Sequence, residues 1–156
     1  MKITVASDHA GFGLKSRILR YLTEKKLEAN DLGTAGRDSV DYPDYAVKVA
    51  KSVSQGESDR GILICGTGIG MSIAANKIRG VRAALCHNVT TAEVSRRHND
   101  ANILVLGERM LDEETALQIV ETWLHSEFDA GRHQKRIEKI EAIEQREQAD
   151  APLSKE

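Results

Sequence analysis

The alternation of short apolar runs with longer amphipathic segments constrains the fold of this chain more than any other feature of its sequence. The short runs are rich in β-branched residues, and apolar residues recur at helical spacing in the segments between them. The run RGILIC is uninterrupted, as expected of a strand that is covered on both faces. Alternation of this kind predicts an α/β fold in which helices pack on both faces of a parallel sheet.

Five strands are predicted, with helical segments between and after them. The predicted strands are 2–7, 27–33, 60–65, 81–86 and 102–107. Helices are predicted at 13–26, 45–55, 90–98, 112–128 and 132–148, with a further helix beginning after the glycine-rich turn at 66–70. A polar loop is predicted at 34–45. Thr90 and Glu93 stand at the spacing of a capping box at the start of the 90–98 helix.

Length and composition indicate one globular domain. A chain of 156 residues suits a single buried core, which we place at 1–146, with 147–156 as a disordered tail. The net charge of −2 offers no basic surface for nucleic acid or an anionic membrane. No apolar stretch approaches the ~18–20 residues that cross a bilayer, and the start MKITVASDHAGF lacks a signal-peptide pattern. The two cysteines form no CxxC pair, so we expect a reducing, cytoplasmic location.

Residues with useful polar chemistry are concentrated just after the predicted strands. They are Ser7, Asp8 and His9; Gly33 and Thr34; Cys65, Gly66 and Thr67; Cys86 and His87; Gly107, Glu108 and Arg109. In open parallel sheets the ligand crevice lies outside the carboxyl ends of the strands. The sequence therefore predicts a binding site at this edge of the sheet.

The glycine-rich turn GTGIGM follows the third strand and matches neither of the common nucleotide motifs. Met71 stands where a dinucleotide fingerprint has its third Gly or Ala, and the turn lacks the Lys-Ser/Thr of a P-loop. What remains is a loop of backbone N–H groups at a helix N-terminus, which favours an anion or a developing oxyanion. A tight strand–helix turn without a ligand is the alternative.

Cys65 stands at the lip of this turn. A thiol at the positive end of a helix is favoured as the thiolate, which can act as a nucleophile or as a base. An inert cysteine that ends a buried strand is the alternative. Cys86 ends the fourth predicted strand without a glycine turn, and we assign it no role.

Two further stretches contain residues that can bind or transfer protons. Asp8 can exchange hydrogen bonds with hydroxyls and His9 can donate to an anion; alternatively, Asp8 only caps a helix and His9 lies on the surface. No third ligand stands at a suitable spacing, so no metal site is predicted. His98 ends a predicted helix, where it can hold a proton for chemistry or simply cap the helix.

Arg132 and Arg136 are four residues apart near the start of the last predicted helix. This spacing puts both guanidinium groups on one helical face, where they can clamp a phosphate. The alternative is a solvated helix face on which Glu138 and Glu141 neutralise the arginines.

Together these motifs resemble the ribose-5-phosphate isomerase B family, which belongs with the allose- and galactose-phosphate isomerases. The resemblance covers about residues 3–146 and is carried, in the family's order, by SDHAGF, DYPDYA, GILICGTGIGMSIAANK, RAALC, SRRHNDANILVLG and GRHQKRIEKI. It implies a Rossmann-like three-layer α/β/α sandwich with a five-stranded parallel sheet. It also implies a homodimer or a dimer of dimers with sites at the subunit interface.

The resemblance implies roles for individual residues. Cys65 matches the proton-transferring base and His98 the acid that opens the furanose ring, and Asp8 and Thr67 are expected beside them in catalysis. The positions that match substrate and phosphate contacts are Asp8, His9, Gly66, Thr67, Gly68, Ile69, Gly70, Asn99, Arg109, Arg132 and Arg136. Because such contacts can come from different subunits in the family, we expect Arg109 and Cys65 to serve one site from different chains.

The implied reaction interconverts D-ribose 5-phosphate and D-ribulose 5-phosphate through a cis-enediolate, in the non-oxidative pentose phosphate pathway. The base and the N–H donors that this anion requires are Cys65 and the glycine loop. No cofactor is expected, since only protons move, and the expected partner is a small sugar phosphate. Isomerisation of allose 6-phosphate or galactose 6-phosphate, and a sugar-phosphate-binding module without activity, are the alternatives.

Overall fold

A five-stranded sheet runs through the centre of the computed structural model, which describes residues 1–149. The strands are β1 (Lys2–Ser7), β2 (Glu28–Asp31), β3 (Arg60–Cys65), β4 (Ala83–Leu85) and β5 (Ile103–Gly107). Neighbouring strands are parallel throughout, and their order is β2-β1-β3-β5-β4. The predicted five-stranded parallel sheet is confirmed.

Of the six helices within residues 1–149, the first five cover the two faces of the sheet. The six helices are α1 (Phe12–Glu24), α2 (Tyr42–Ser54), α3 (Ile69–Ala75), α4 (Val89–Asn99), α5 (Glu113–His125) and α6 (Arg132–Ala149), and a short 3-10 turn, His9–Gly11, precedes α1. Apolar residues of α1, α4 and α5 pack on one face of the sheet, and those of α2 and α3 pack on the other. The predicted three-layer sandwich is therefore confirmed.

The residues of β3 show how the sequence builds this core. Successive side chains of a strand point to opposite faces of the sheet. Ile62 and Ile64 accordingly pack with α1 and α5, whereas Leu63 and Cys65 pack with α2 and α3. All four are buried, which explains why the run is continuously apolar rather than alternating.

Three helices, α1, α2 and α4, begin earlier than predicted, and the last one ends later. Pro43 lies in the first turn of α2, so this helix starts at Tyr42, inside the predicted polar loop. The capping box of α4 is formed by Asn88 and Thr91 instead of by Thr90 and Glu93. Helix α6 continues to Ala149, three residues into the predicted tail, and the remainder of that tail lies outside the described residues.

The parallel sheet has a carboxyl edge, at which its strands end, and an amino edge, at which they begin. In the pairing of β3 with β5, Gly61 lies opposite Ile103 and Cys65 lies opposite Gly107. The carboxyl and amino edges are thus separated by about 13 Å, since a strand rises ~3.3 Å per residue. Helix α4 connects β4 to β5. Because these two strands are parallel, the helix runs in the opposite direction to them and ends, at Asn99, beside the amino edge.

Within residues 1–149, no helix is both long enough and apolar enough to span a bilayer.

Candidate active site

Cys65 lies at the carboxyl edge of the sheet and is held there by the glycine loop. It is the last residue of β3, and only 4% of its surface is exposed. Its Sγ accepts a hydrogen bond from the backbone N–H of Gly68, with an N···S distance of 3.1 Å. A backbone donor directed at sulfur stabilises the thiolate, the form that can remove a proton.

The glycines of the loop are required by close approaches from three sides. Gly68 has a φ of +79°, and a Cβ there would collide with the Leu85 side chain and lie 3.1 Å from the backbone of Leu106. A Cβ on Gly66 would lie 2.9 Å from Nη1 of Arg109. A Cβ on Gly70 would lie 2.5 Å from Cζ of Tyr42, at the start of α2. The loop is therefore a tightly packed strand–helix turn, as the alternative interpretation expected. The same turn also directs the Gly68 N–H at the Cys65 sulfur.

Thr67 and Ile69 are the exposed residues of the loop. The Thr67 Oγ1 accepts a hydrogen bond from the Ile69 N–H at 3.3 Å. Because an accepting hydroxyl keeps its own hydrogen, Thr67 can still donate to a ligand oxygen above the loop.

Asp8 and His9 follow β1 at the same edge. The buried Asp8 carboxylate accepts a hydrogen bond from the Gly11 N–H at 3.0 Å, so the predicted capping alternative applies to one of its two oxygens. The Nδ1 of His9 accepts from the Val40 N–H at 3.2 Å. The neutral ring consequently carries its proton on Nε2, which makes that nitrogen a donor.

Arg109 also belongs to the carboxyl edge of the same chain. Its backbone N–H donates to the Gly66 carbonyl at 3.0 Å, and its guanidinium lies against Gly66. The expectation that Arg109 and Cys65 serve a site from different chains is therefore not supported by this geometry.

The remaining predicted site residues lie at the opposite, amino edge of the sheet. His98 and Asn99 end α4, and the Asn99 carbonyl accepts a 3.0 Å hydrogen bond from Arg82, which directly precedes β4. Arg132 and Arg136 occupy the first turns of α6. One chain thus brings together Cys65, Asp8, His9, the loop and Arg109, but it holds the other four residues apart from them.

The two arginines of α6 are exposed, and among residues 1–149 neither has a carboxylate within ion-pair distance. The acidic residues expected to neutralise them are engaged elsewhere. Glu141 lies 3.8 Å from Arg82, and Glu138 accepts a 3.2 Å hydrogen bond from Gln134. These contacts weaken the alternative of a mutually neutralised helix face and leave a positive surface.

A family model described as Ribose/Galactose Isomerase matches residues 3–140. The chain belongs to this ribose/galactose isomerase family. It is similar to the ribose-5-phosphate isomerase B of Escherichia coli strain K12, with 50% identity over 93% of this chain and 97% of that protein. The Ribose-5-P isomerase B of Listeria innocua is 44% identical over 94% of this chain and 99% of its own length.

Solved structures of the ribose/galactose isomerase family share the fold. Ribose-5-phosphate isomerase B of Clostridium thermocellum superposes with a TM-score of 0.93 at 55% identity, covering 94% of this chain and 99% of the other. The Mycoplasma genitalium enzyme, whose structure contains bound ribulose-5-phosphate, gives a TM-score of 0.89 at 43% identity, with 92% and 96% covered.

Sequence reasoning missed one cluster at the amino edge of this isomerase. His133 is buried, and its ring stacks on that of His98 with 4.3 Å between centroids and 8° between planes. Asp129 lies beside them, and the three side chains can bring ligand atoms within 4.8 Å of one another. A metal ion lies near the plane of each imidazole that binds it, and one ion cannot satisfy two rings stacked in parallel. The observed geometry is that of a stacked pair, and a metal site would require one ring to turn.

Tyr42 borders the glycine loop, although the sequence placed it in a polar loop. It begins α2 and lies over Gly70. Pro43, expected near the start of this helix, lies in its first turn, a position that proline favours.

Proposed function

We propose that this chain interconverts D-ribose 5-phosphate and D-ribulose 5-phosphate. The observation that carries the proposal is the 3.1 Å hydrogen bond from the Gly68 N–H to the Cys65 sulfur, in a loop of further N–H groups at the crevice. Relatives named ribose-5-phosphate isomerase B, and the bound ribulose-5-phosphate of the Mycoplasma genitalium structure, support the choice of substrate.

Cys65 acts as the base in the proposed reaction. The thiolate removes the proton from C2 of the open-chain aldose, and the electron pair moves toward O1 to give a cis-enediolate. Backbone N–H groups of the loop and the Thr67 hydroxyl stabilise the oxyanion. The Asp8 oxygen not bonded to Gly11 assists proton exchange between O1 and O2. Return of the thiol proton to C1 gives the ketose and restores the thiolate.

His98 opens the sugar ring before this step. As an imidazolium it donates a proton to the furanose ring oxygen, while the anomeric hydroxyl releases its proton to water, the C1–O4 bond breaks and the aldehyde forms. Asn99 contacts the substrate hydroxyls, and the two arginines of α6 bind the phosphate.

A second copy of the chain completes each site. Since one chain separates Cys65 from His98 by the depth of the sheet, the carboxyl edge of one protomer faces His98, Asn99, Arg132 and Arg136 of the partner subunit. In a two-fold dimer this contact occurs twice and forms two equal sites. Ile69 and Ile73 of α3 are 55% and 58% exposed next to the crevice, and a partner would bury them.

Isomerisation of a six-carbon sugar phosphate is the second candidate, because the family description covers both ribose and galactose isomerases. Galactose 6-phosphate and allose 6-phosphate require more room between the base and the phosphate clamp. In either case the reaction needs no cofactor, and we place it in the cytoplasm, in the non-oxidative pentose phosphate pathway when ribose 5-phosphate is the substrate.

The decisive experiment compares these three sugar phosphates on the wild-type protein and on Cys65→Ala. We expect ribose 5-phosphate to be the best substrate and the alanine variant to lose ~100- to 10,000-fold in kcat, with ribulose 5-phosphate binding retained in calorimetry. Cys86→Ala is the matched control, because Cys86 is also buried but packs on the opposite face of the sheet from Cys65. Turnover by Cys65→Ala near the wild-type rate would contradict the proposal and move the base to another residue.

Exhaustive dialysis against EDTA should leave kcat unchanged, since the proposed steps move only protons between residues of the chain and the sugar. A loss of turnover that added Zn²⁺ or Mn²⁺ restores would instead make the cluster of His98, Asp129 and His133 a working metal site.

A further inference from the structure

His133 is a buried histidine that the proposed reaction does not use. It follows the first residue of α6, and its exposed fraction is 7%. Its ring covers one face of the His98 ring with the planes almost parallel. A proton donor at the end of a helix would otherwise be free to rotate about its side-chain bonds, so this contact fixes the orientation of His98.

Both positive and negative side chains surround the stacked pair of His98 and His133. Arg132 and Arg136 of α6 face His133, and Asp129, just before α6, faces both rings. Asp129 is itself held by Arg97 of α4, whose Nε lies 3.1 and 3.2 Å from its two carboxylate oxygens. The carboxylate is therefore fixed beside the pair.

These surroundings keep His133 neutral. Burial lowers the pKa of His133, and the nearby positive charges of His98, Arg132 and Arg136 lower it further, while Asp129 acts in the opposite direction. Two imidazolium rings stacked at 4.3 Å would also repel each other strongly. The pair therefore holds at most one proton near neutral pH.

We propose that His133 is a positioning residue for His98, whose ring it holds by stacking and to which it leaves the single proton of the pair. This inference rests on the proposed function, in which His98 of the partner subunit opens the furanose ring.

The first test measures the protonation of each histidine ring directly and does not depend on activity. The protein is labelled at its histidine ring nitrogens, and NMR spectra are recorded from about pH 5 to pH 8, the range in which histidine titrates. His98→Asn and His133→Phe assign the two resonances. We expect only His98 to gain a proton over this range. Protonation of His133 before His98, or of both rings together, would overturn the proposal.

The second test separates ring opening from proton transfer at carbon. Ribose 5-phosphate must open before it reacts, whereas ribulose 5-phosphate cannot close a furanose ring because its O5 carries the phosphate. The two readouts are the forward kcat and the enzyme-catalysed incorporation of deuterium at C1 of ribulose 5-phosphate in D₂O. His133→Ala should lower the forward kcat ~10- to 100-fold and change deuterium incorporation by less than about threefold.

Two control variants complete this test. His133→Phe keeps a flat ring on His98 and should restore most of the forward rate, and His125→Ala removes an exposed histidine at the end of α5 and should change neither readout. An equal loss of forward rate and deuterium incorporation in His133→Ala would show a merely structural role and overturn the inference. If wild-type protein does not convert ribose 5-phosphate, the proposed function fails, while the NMR titration still decides how the pair shares its proton.

Discussion

Gly68 serves Cys65 in two ways, and both depend on its lack of a side chain. Its backbone adopts φ +79°, a region that side chains make costly, and this turn directs its N–H at the sulfur. The side chain of Leu85 and the backbone of Leu106 occupy the space that a Cβ would need. A substitution at Gly68 should therefore affect stability and chemistry together.

Gly68→Ala is expected to lower the free energy of unfolding by about 1–3 kcal/mol, from backbone strain and from the collision with Leu85. It should also reduce kcat at least ~10-fold, because the N–H no longer points at the Cys65 sulfur. Urea denaturation and steady-state assays measure the two effects. Gly36→Ala is the matched control, since its Cβ would meet nothing within 4 Å. A Gly68→Ala variant with unchanged kcat would show that this N–H has no part in catalysis.

At the scale of elements, the start of α6 is suited to an anion. Arg132 and Arg136 project from its first turns without ion-pair partners among the described residues, and the helix dipole adds positive potential there. A phosphate bound at this point is held alike in the ground state and in the transition state. Loss of a phosphate contact should consequently raise KM more than it lowers kcat.

Arg136→Ala should raise KM for ribose 5-phosphate roughly 10- to 150-fold, the equivalent of ~1.5–3 kcal/mol for one charge-assisted hydrogen bond, with a smaller fall in kcat. Steady-state kinetics measure both constants. Arg146→Ala removes the same charge from the last turn of the same helix and should leave KM unchanged. Equal increases in the two variants would indicate a general electrostatic effect in place of a phosphate contact.

The elements were largely predictable from sequence, and the exceptions have local causes. The β-branched runs predicted β1, β3 and β5, which helices bury in the centre of the sheet, whereas the edge strands β2 and β4 are less buried and contain no β-branched residue. The start of α2 was missed since its first residues, Tyr42 to Asp44, show no apolar repeat. The cap of α4 was placed at Thr90 because Glu93 follows it at capping-box spacing, whereas Asn88, the better N-cap residue, forms the cap with Thr91. Strand order depends on contacts between distant segments and was not predicted.

The residue types of the candidate site were predicted from the sequence, but the division of these residues between the two edges of the sheet was not. The rule that ligands lie at carboxyl ends of strands correctly grouped Asp8, Cys65 and Arg109. It says nothing about His98, which ends a helix at the other edge. His133 was overlooked because a histidine in a basic run is usually a surface residue, and its stacking on His98 exists only in three dimensions.

At the scale of the whole molecule, the proposed division of the site between the two edges of the sheet can be tested by combining two different variants in one dimer. Chains that carry Cys65→Ala lack one half of the site, and chains that carry His98→Asn lack the other. Under the proposed arrangement, a hybrid dimer combines both defects in one site and leaves the second site intact. Hybrids isolated with two different affinity tags should therefore recover about half of the wild-type activity.

The matched control is the pair Cys65→Ala and Arg109→Ala. Both residues lie at the same edge of one chain, so each site of this hybrid keeps one defect and no activity should return. Activity is measured on the purified hybrids and on each variant alone. An inactive Cys65/His98 hybrid, or an active Cys65/Arg109 hybrid, would contradict the assignment of residues to chains.

The placement of half a site at each edge of the sheet also affects how the amount of protein relates to its output. Under the proposed arrangement a single folded chain has no complete site, so turnover per chain should depend on the fraction that is paired and should fall on dilution without any unfolding. Close to the dissociation constant, halving expression lowers both the number of chains and the fraction of them that are paired. Well below that constant, flux through this reaction should vary with roughly the square of expression, which makes a weakly expressed copy far less active than its abundance suggests.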